Sequence, residues 1–245
     1  MNKTNKTICF FWTGNKIEIP RFLVQSIRLT MGDNINVVQL TNHETKEIVG
    51  VNSVKRFNLS SKIMVARLQS YALYEIETDY TFFCDADCVF INKLSLPNIE
   101  NINIFLSPRL RDFKINYNYP EHYEEFVNKT ANEVMPFLFC AIAAKGNQQI
   151  FFKNLLEICL KLPERFHRWY GDQYSLFLKT REKLKEFGLL DPKIYQYEIK
   201  EILTPKKLEQ IIESGSQLLH FKGPKSKIYI EQTMTLLDYF LNKRN

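Results

Sequence analysis

Two carboxylates set between two apolar, β-prone runs constrain this chain more than any other stretch: Tyr80-Thr81-Phe82-Phe83-Cys84-Asp85-Ala86-Asp87-Cys88-Val89-Phe90-Ile91. The run from Tyr80 to Cys84 is apolar nearly throughout, as expected of a parallel strand covered on both faces. In an extended backbone residues i and i+2 point to one side, which predicts that Asp85 and Asp87 face one way and Ala86 the other. Acids at the carboxyl end of such a strand lie where open α/β sheets bind ligands. Two like charges that close are costly unless a cation neutralises them. A hard divalent ion shared with substrate phosphates is the usual partner. A solvated turn joining two hairpin strands is the plainer alternative, and the apolar flanks weigh against it.

The rest of the chain alternates strand and helix patterns. Ile8-Cys9-Phe10-Phe11-Trp12 reads as a buried strand ended by Thr13-Gly14-Asn15. Pro20, Leu23, Ile27 and Met31 have helical spacing, with Pro20 suited to a first turn. Gly32-Asp33-Asn34 closes that helix before a second strand, Ile35-Asn36-Val37-Val38-Gln39-Leu40. Such a start fits a nucleotide-binding crevice, although Thr13-Gly14-Asn15 is not a glycine-rich phosphate loop. Trp12 suits the core or a stacked base equally. Ser60 or Ser61 is expected to cap a helix over 62–76 with the stripe Met64, Val65, Leu68, Ala72 and Ile76. Lys62 and Arg67 project from it, toward a phosphate or into solvent.

Strands are predicted at Ile102-Asn103-Ile104-Phe105-Leu106 and at Phe137-Leu138-Phe139-Cys140-Ala141-Ile142-Ala143-Ala144, with a helix over 148–162. Between the strands, residues 107–135 carry Arg109, Arg111, Tyr117, Tyr119, His122 and Tyr123, and form either a functional loop suited to stacking on a sugar or a site of local disorder. Trp169-Tyr170-Gly171-Asp172-Gln173 opens a helix running through Leu184, and Asp172 near its amino end is a cap or a ligand-facing group. Asp191-Pro192 marks a turn, and Thr204-Pro205 starts a short amphipathic helix. Gln217-Leu218-Leu219-His220-Phe221 is a last strand. A final helix with Leu236, Leu237, Tyr239, Phe240 and Leu241 ends in Lys243-Arg244, and would lie on an anionic bilayer or pack on the domain.

His220 stands beside Lys222-Gly223-Pro224-Lys225-Ser226-Lys227. A lone strand histidine is more often a satisfied core residue, but the basic loop and the acid pair favour a ligand. Asp85, Asp87 and His220 together make an O,O,N donor set that suits Mn²⁺, with Mg²⁺ the alternative ion. Lys225 and Lys227 would add charge-assisted bonds to a diphosphate.

Composition excludes several classes. The 245 residues hold 8 glycines and no run of about 18 apolar residues, so no long flexible linker or transmembrane helix is expected. One domain over 1–245 is the simplest organisation, with a core over about 8–228 and a terminal helix and basic tail over 229–245. The polar start predicts no secretory signal and a cytoplasmic protein. The five cysteines sit in apolar runs and read as reduced core residues. A net charge of +6 suits anionic partners such as nucleotides, lipid headgroups or acidic glycans. No aromatic-basic signature of nucleic-acid binding occurs.

Asp85-Ala86-Asp87, Gly171-Asp172-Gln173 and His220-Phe221-Lys222-Gly223-Pro224, in that order, resemble a GT-A-fold glycosyltransferase. The likeness is greatest to family 8, the group of glycogenin and the bacterial lipopolysaccharide galactosyl- and glucosyltransferases, and spans about residues 8–228. It implies a mixed, mostly parallel central sheet flanked by helices. It further implies that Asp85, Asp87 and His220 ligate Mn²⁺ on the diphosphate of a UDP-linked hexose. By the same resemblance Arg67 contacts the donor, Trp12, Thr13 and Gly14 hold its uracil and ribose, Gly223 and a neighbouring lysine meet its phosphates, and Asp172 and Gln173 face the sugar near the reacting carbon. The expected acceptor is a bacterial surface glycan or glycolipid (lipopolysaccharide, lipooligosaccharide or capsule), with retention at the anomeric carbon. The chain departs from the family at Ser226, where a lysine is usual, and around Phe139-Cys140-Ala141, where Asn-Ala/Ser-Gly is usual. The rival readings are a haloacid-dehalogenase-like phosphohydrolase and a non-catalytic sugar-binding protein on the same fold.

Overall fold

The computed structural model describes residues 5–115, 126, 128–221 and 228–244. In chain order it contains β1 (Lys6–Phe11), α1 (Glu18–Met31), β2 (Asn36–Thr41), β3 (Ser53–Arg56), α2 (Ile63–Leu73), β4 (Tyr80–Cys84), β5 (Cys88–Phe90), β6 (Ile104–Pro108) and α3 (Ala131–Val134). It continues with β7 (Phe137–Lys145), α4 (Gln149–Lys161), α5 (Gly171–Thr180), β8 (Gly188–Leu189), α6 (Pro192–Tyr195), β9 (Tyr197–Glu198), α7 (Pro205–Glu213), β10 (Leu218–His220) and α8 (Ile230–Arg244). Seven strands make one sheet in the order β3-β2-β1-β4-β7-β6-β8, and three make a smaller one, β5-β10-β9. In the large sheet β1 runs parallel to β2 and β4, while β7 is antiparallel to both β4 and β6. The result is the mixed, mostly parallel sheet flanked by helices that the glycosyltransferase resemblance implies.

Strand periodicity divides the core. Cys9, Phe11 and Phe83 point to the face covered by α2, α4 and α5, and Ile8, Phe10, Phe82 and Cys84 to the face covered by α1. The first face is rich in rings: Tyr71 meets Phe83 at 4.6 Å between centroids, and Phe83 meets Phe152 at 4.7 Å. Burying each such ring contributes on the order of 2–3 kcal/mol. All five cysteines are buried, as their apolar settings predict.

Strand order reverses at β1, with β2 on one side and β4 on the other, so the carboxyl ends of β1 and β4 flank the crevice where doubly wound sheets bind ligands. Trp12 and Thr13 follow β1 there, and Asp85 follows β4.

Several expectations are corrected. Asp85, Ala86 and Asp87 are not extended: Ala86 and Asp87 form a turn. That turn joins no hairpin either, since β4 belongs to the large sheet and β5 to the small one. α2 stops at Leu73, before Ile76, and Lys62 stands at its N-cap, where the Ser60 hydroxyl accepts from the Lys62 amide at 3.1 Å. α5 ends at Thr180, short of Leu184. Asp191-Pro192 is the start of α6, with the Asp191 carboxylate accepting from the Lys193 amide at 2.9 Å. Residues 107–135 are not wholly irregular: Ile115, Phe126, Ala131, Val134 and Met135 cluster with Phe166 and Tyr174. Tyr117, Tyr119, His122 and Tyr123 lie outside the described residues. α8 turns its apolar side inward, with Leu237 buried and Leu236, Phe240 and Leu241 packed in one cluster with Ile211 of α7 and Phe22 of α1. No helix is long and apolar enough to cross a membrane among the described residues.

Candidate active site

Backbone hydrogen bonds fix the acidic turn. The Asp85 amide donates to the Cys140 carbonyl on β7 at 3.0 Å, and the Phe221 amide donates to the Asp87 carbonyl at 3.0 Å. β10 runs antiparallel to β5 with His220 opposite Cys88. A histidine more than 130 residues away in sequence is thereby set beside the acid pair (220 − 87 = 133). His220 Nε2 lies 3.7 Å from Asp87 Oδ1 and 3.9 Å from Asp85 Oδ2. Those gaps are too long for hydrogen bonds. They fit donors sharing one small divalent ion, because ligands each about 2.1 Å from an octahedral centre stand about 3–4 Å apart. Asp87, Cys88 and His220 also bring their donor atoms within 4.8 Å of one another. The residues present fit the ion that the sequence implies.

His220 is 6% exposed. Burial alone would lower its pKa, but the neighbouring Cys140 sulfur and the carboxylates of Asp87 and Asp85 outweigh that and raise it to about 9. Cys140 is itself held by Gln196, whose amide oxygen accepts from Cys140 Sγ at 3.2 Å and from the Ser107 hydroxyl at 2.7 Å.

Arg67 on α2 ties the acids to the second predicted motif. Its guanidinium bonds Asp85 Oδ1 at 2.5 Å and also bonds Asp172 Oδ2. The side chain of Asp172 is fully buried and that of Arg67 is nearly so. Burial opposes the Arg67 charge, and Asp172 and then Asp85 reverse that effect, so the guanidinium stays protonated at all working pH. Burial raises the Asp172 carboxyl pKa, with Arg67 pulling the other way. Lys62, by contrast, pairs with the exposed Glu164 at 2.5 Å. Gly171 lets Asp172 enter this bridge, since a Cβ on residue 171 would stand 2.3 Å from the Phe166 carbonyl oxygen.

Two lobes open on either side of these charges. The first, about 330 Å³, is lined by Phe11, Trp12, Thr13, Ile63, Met64, Arg67, Asp85, Ala86 and Asp87. The second, about 410 Å³, shares Met64, Arg67, Asp85 and Asp87 and adds residues that include Arg109, Trp169, Tyr170, Gln173 and His220. The Trp12 indole nitrogen is buried without a hydrogen-bond partner among the described residues. The Gly14 amide donates to Thr45 at 2.9 Å. Gln173 faces the second lobe and receives a bond from Arg109, which donates also to the Met135 carbonyl at 2.8 Å. Burial lowers the Arg109 pKa.

The structure thus gathers Trp12, Thr13, Arg67, Asp85, Asp87, Gln173 and His220 at one crevice, whereas Asp172, expected to face the sugar, is fully buried against Arg67 and lines neither lobe. Gly223, Lys225 and Lys227 lie outside the described residues. Sequence reasoning gave no role to Gln196, Trp169 or Tyr170, and mentioned Arg109 only as a loop charge. Their placement depends on contacts between distant segments, and no local pattern announces it.

No protein-family model matches the sequence, and no curated protein matches it. Solved structures do. A glycosyltransferase involved in the glycosylation of the major capsid of PBCV-1 superposes with a TM-score of 0.56 over 95% of this chain and 99% of its own, at 11% identity. Two structures of the glycosyltransferase GlyE of Streptococcus pneumoniae TIGR4 superpose with TM-scores of 0.56 over 99% of this chain, at 13% and 11% identity. The chain spans 64% of the GlyE chain. This chain has a GT-A-like glycosyltransferase fold.

Proposed function

We infer that this protein is a metal-dependent glycosyltransferase that moves a hexose from a UDP-linked sugar to a glycan or glycolipid acceptor. The observation that carries this reading is the Asp85, Asp87 and His220 cluster standing between two lobes at the switch point of the sheet. A divalent ion held there would supply Lewis-acid neutralisation of the departing diphosphate, with Mn²⁺ favoured by the donor set.

The chain's own groups divide the remaining work. Trp12 and Thr13 would hold the nucleoside in the first lobe. Arg67 fixes the rotamer of Asp85 and the position of α5 through Asp172, which makes both Arg67 and Asp172 positioning residues in this reading. Gln173, oriented by Arg109, is the group of the Asp172-Gln173 pair that would meet the sugar. Gly223, Lys225 and Lys227 keep the diphosphate-binding role that the family 8 resemblance implies. Retention, and a bacterial surface glycan as acceptor, rest on that resemblance as well. The phosphohydrolase alternative requires its nucleophilic aspartate on the first strand, whereas here the acids follow β4.

The test is release of nucleoside diphosphate from a panel of UDP-, GDP- and CMP-linked sugars in MnCl₂ without acceptor. Slow release of UDP from a UDP-hexose, stopped by EDTA, is expected. No release from any of them, or release indifferent to EDTA, contradicts the reading.

A further inference from the structure

The outer wall of the second lobe carries an aromatic pair with no role in the chemistry above. Trp169 lines this lobe with 57% of its surface exposed. Tyr170 lines the lobe as well, its ring 5.7 Å from the indole at 68°, an edge-on arrangement. Tyr170 is also the N-cap of α5 and has φ +64. A left-handed backbone at a bulky residue is strained and recurs at ligand clamps. An indole exposed on a cavity rim forgoes burial that a core position would give it, and an apolar face laid on it would recover that burial. The neighbouring lobe surface is polar, with Gln173, Arg109 and His220. An apolar platform beside a few convergent polar groups matches a pyranose ring, which has a C–H face to stack and hydroxyls at its edge.

We propose that Trp169, with Tyr170 edge-on beside it, is the platform on which a pyranose ring of the acceptor stacks. The proposal rests on the glycosyl-transfer reading for the word acceptor, and on the two-lobed geometry for its place. The first lobe takes the nucleoside side of the acids, and the second therefore receives the transferred sugar and, at its rim, the ring that accepts it.

The chain has two tryptophans, and one stands in each lobe, so fluorescence separates them. Trp12→Phe leaves emission from Trp169 alone. Its titration with methyl glycosides of glucose, galactose and N-acetylglucosamine, in buffer without nucleotide, is expected to give a saturable change with at least one. Calorimetry with that glycoside should then show affinity about tenfold weaker in Trp169→Ala, within about threefold of wild type in Trp169→Phe, and a UDP–Mn²⁺ thermal shift kept in both. Silence toward every glycoside, or equal affinity in Trp169→Ala and wild type, overturns the platform. Emission that instead tracks protein concentration, with dimers in sedimentation, also overturns it and assigns the face to a second copy. A missing UDP–Mn²⁺ shift in the wild type overturns the glycosyl-transfer reading alone, because the sugar titration reports on Trp169 by itself.

Discussion

Asp87→Ala is expected to lower kcat/KM for hexose transfer by about a thousandfold or more, while far-UV circular dichroism stays that of the folded chain. Asp87 lies 3.7 Å from His220 at the turn between the two sheets, in the group of donor atoms best placed to hold an ion. Loss of one of three protein donors would remove the ion at ordinary concentrations. Its charge stabilisation of a departing diphosphate contributes several kcal/mol, and each 1.36 kcal/mol is tenfold in rate. Asp87→Asn separates charge from shape, and should recover little, because an amide oxygen brings no negative charge to a divalent cation. Turnover within about tenfold of wild type in Asp87→Ala would mean that the acid pair is not the working centre. Unchanged sugar binding with no turnover in either protein would favour the non-catalytic alternative.

Arg67→Ala is expected to cost about 3–5 kcal/mol of stability, the range for removing one partner of a buried pair. For a chain of this size that is roughly a 6–20 °C fall in Tm. Arg67 compensates two carboxylates at once, and one of them, Asp172, has no exposed surface. Its removal leaves a buried charge that keeps the Gln173 amide, 2.8 Å from Oδ1, but no cation opposite it. Arg67→Lys should restore part of this, since an ammonium lacks the planar fork that spans both acids.

The deficit also has a pH signature. Burial already raises the folded-state pKa of Asp172, and without Arg67 opposing it the rise is larger. A carboxyl whose folded pKa exceeds its unfolded value favours unfolding as pH rises, because the unfolded chain gives up the proton first. The gap between Arg67→Ala and wild type should therefore shrink on acidification from neutral pH toward the ordinary carboxylate range, and widen again on return. Thermal melts across that window measure it, and a gap independent of pH would show that Asp172 is not the group left uncompensated.

The fold was legible wherever burial dictates composition. β1, β4 and β7 are covered on both faces, so their sequences are continuous apolar runs that need no context to read. α7 was legible from Thr204 and Pro205, a cap and a first-turn proline acting locally. β8 and β9, two residues each, escaped because strands that short have no periodicity, and β3 because its edge position leaves it half exposed. The direction of β7 was hidden too, since a run buried on both faces reads alike either way. At the candidate site, residue type and order singled out Asp85, Asp87 and His220, which stand together in the structure, and the sequence placed Asp85 and Asp87 correctly at a strand end while mistaking their turn for an extended segment. The link from Arg67 to Asp172 spans 105 residues, so no window of sequence contains it. Trp169 had no signature at all, because exposure is a property of the folded surface.

The most direct measurement is thermal stability of the purified protein with UDP, with MnCl₂, and with both. Binding at about a hundred times the dissociation constant adds roughly 2.7 kcal/mol. The account predicts a rise of several degrees that needs UDP and Mn²⁺ together and is absent in Asp87→Ala. A rise with UDP that is indifferent to Mn²⁺ and to Asp87, or no rise with any nucleotide, would contradict it.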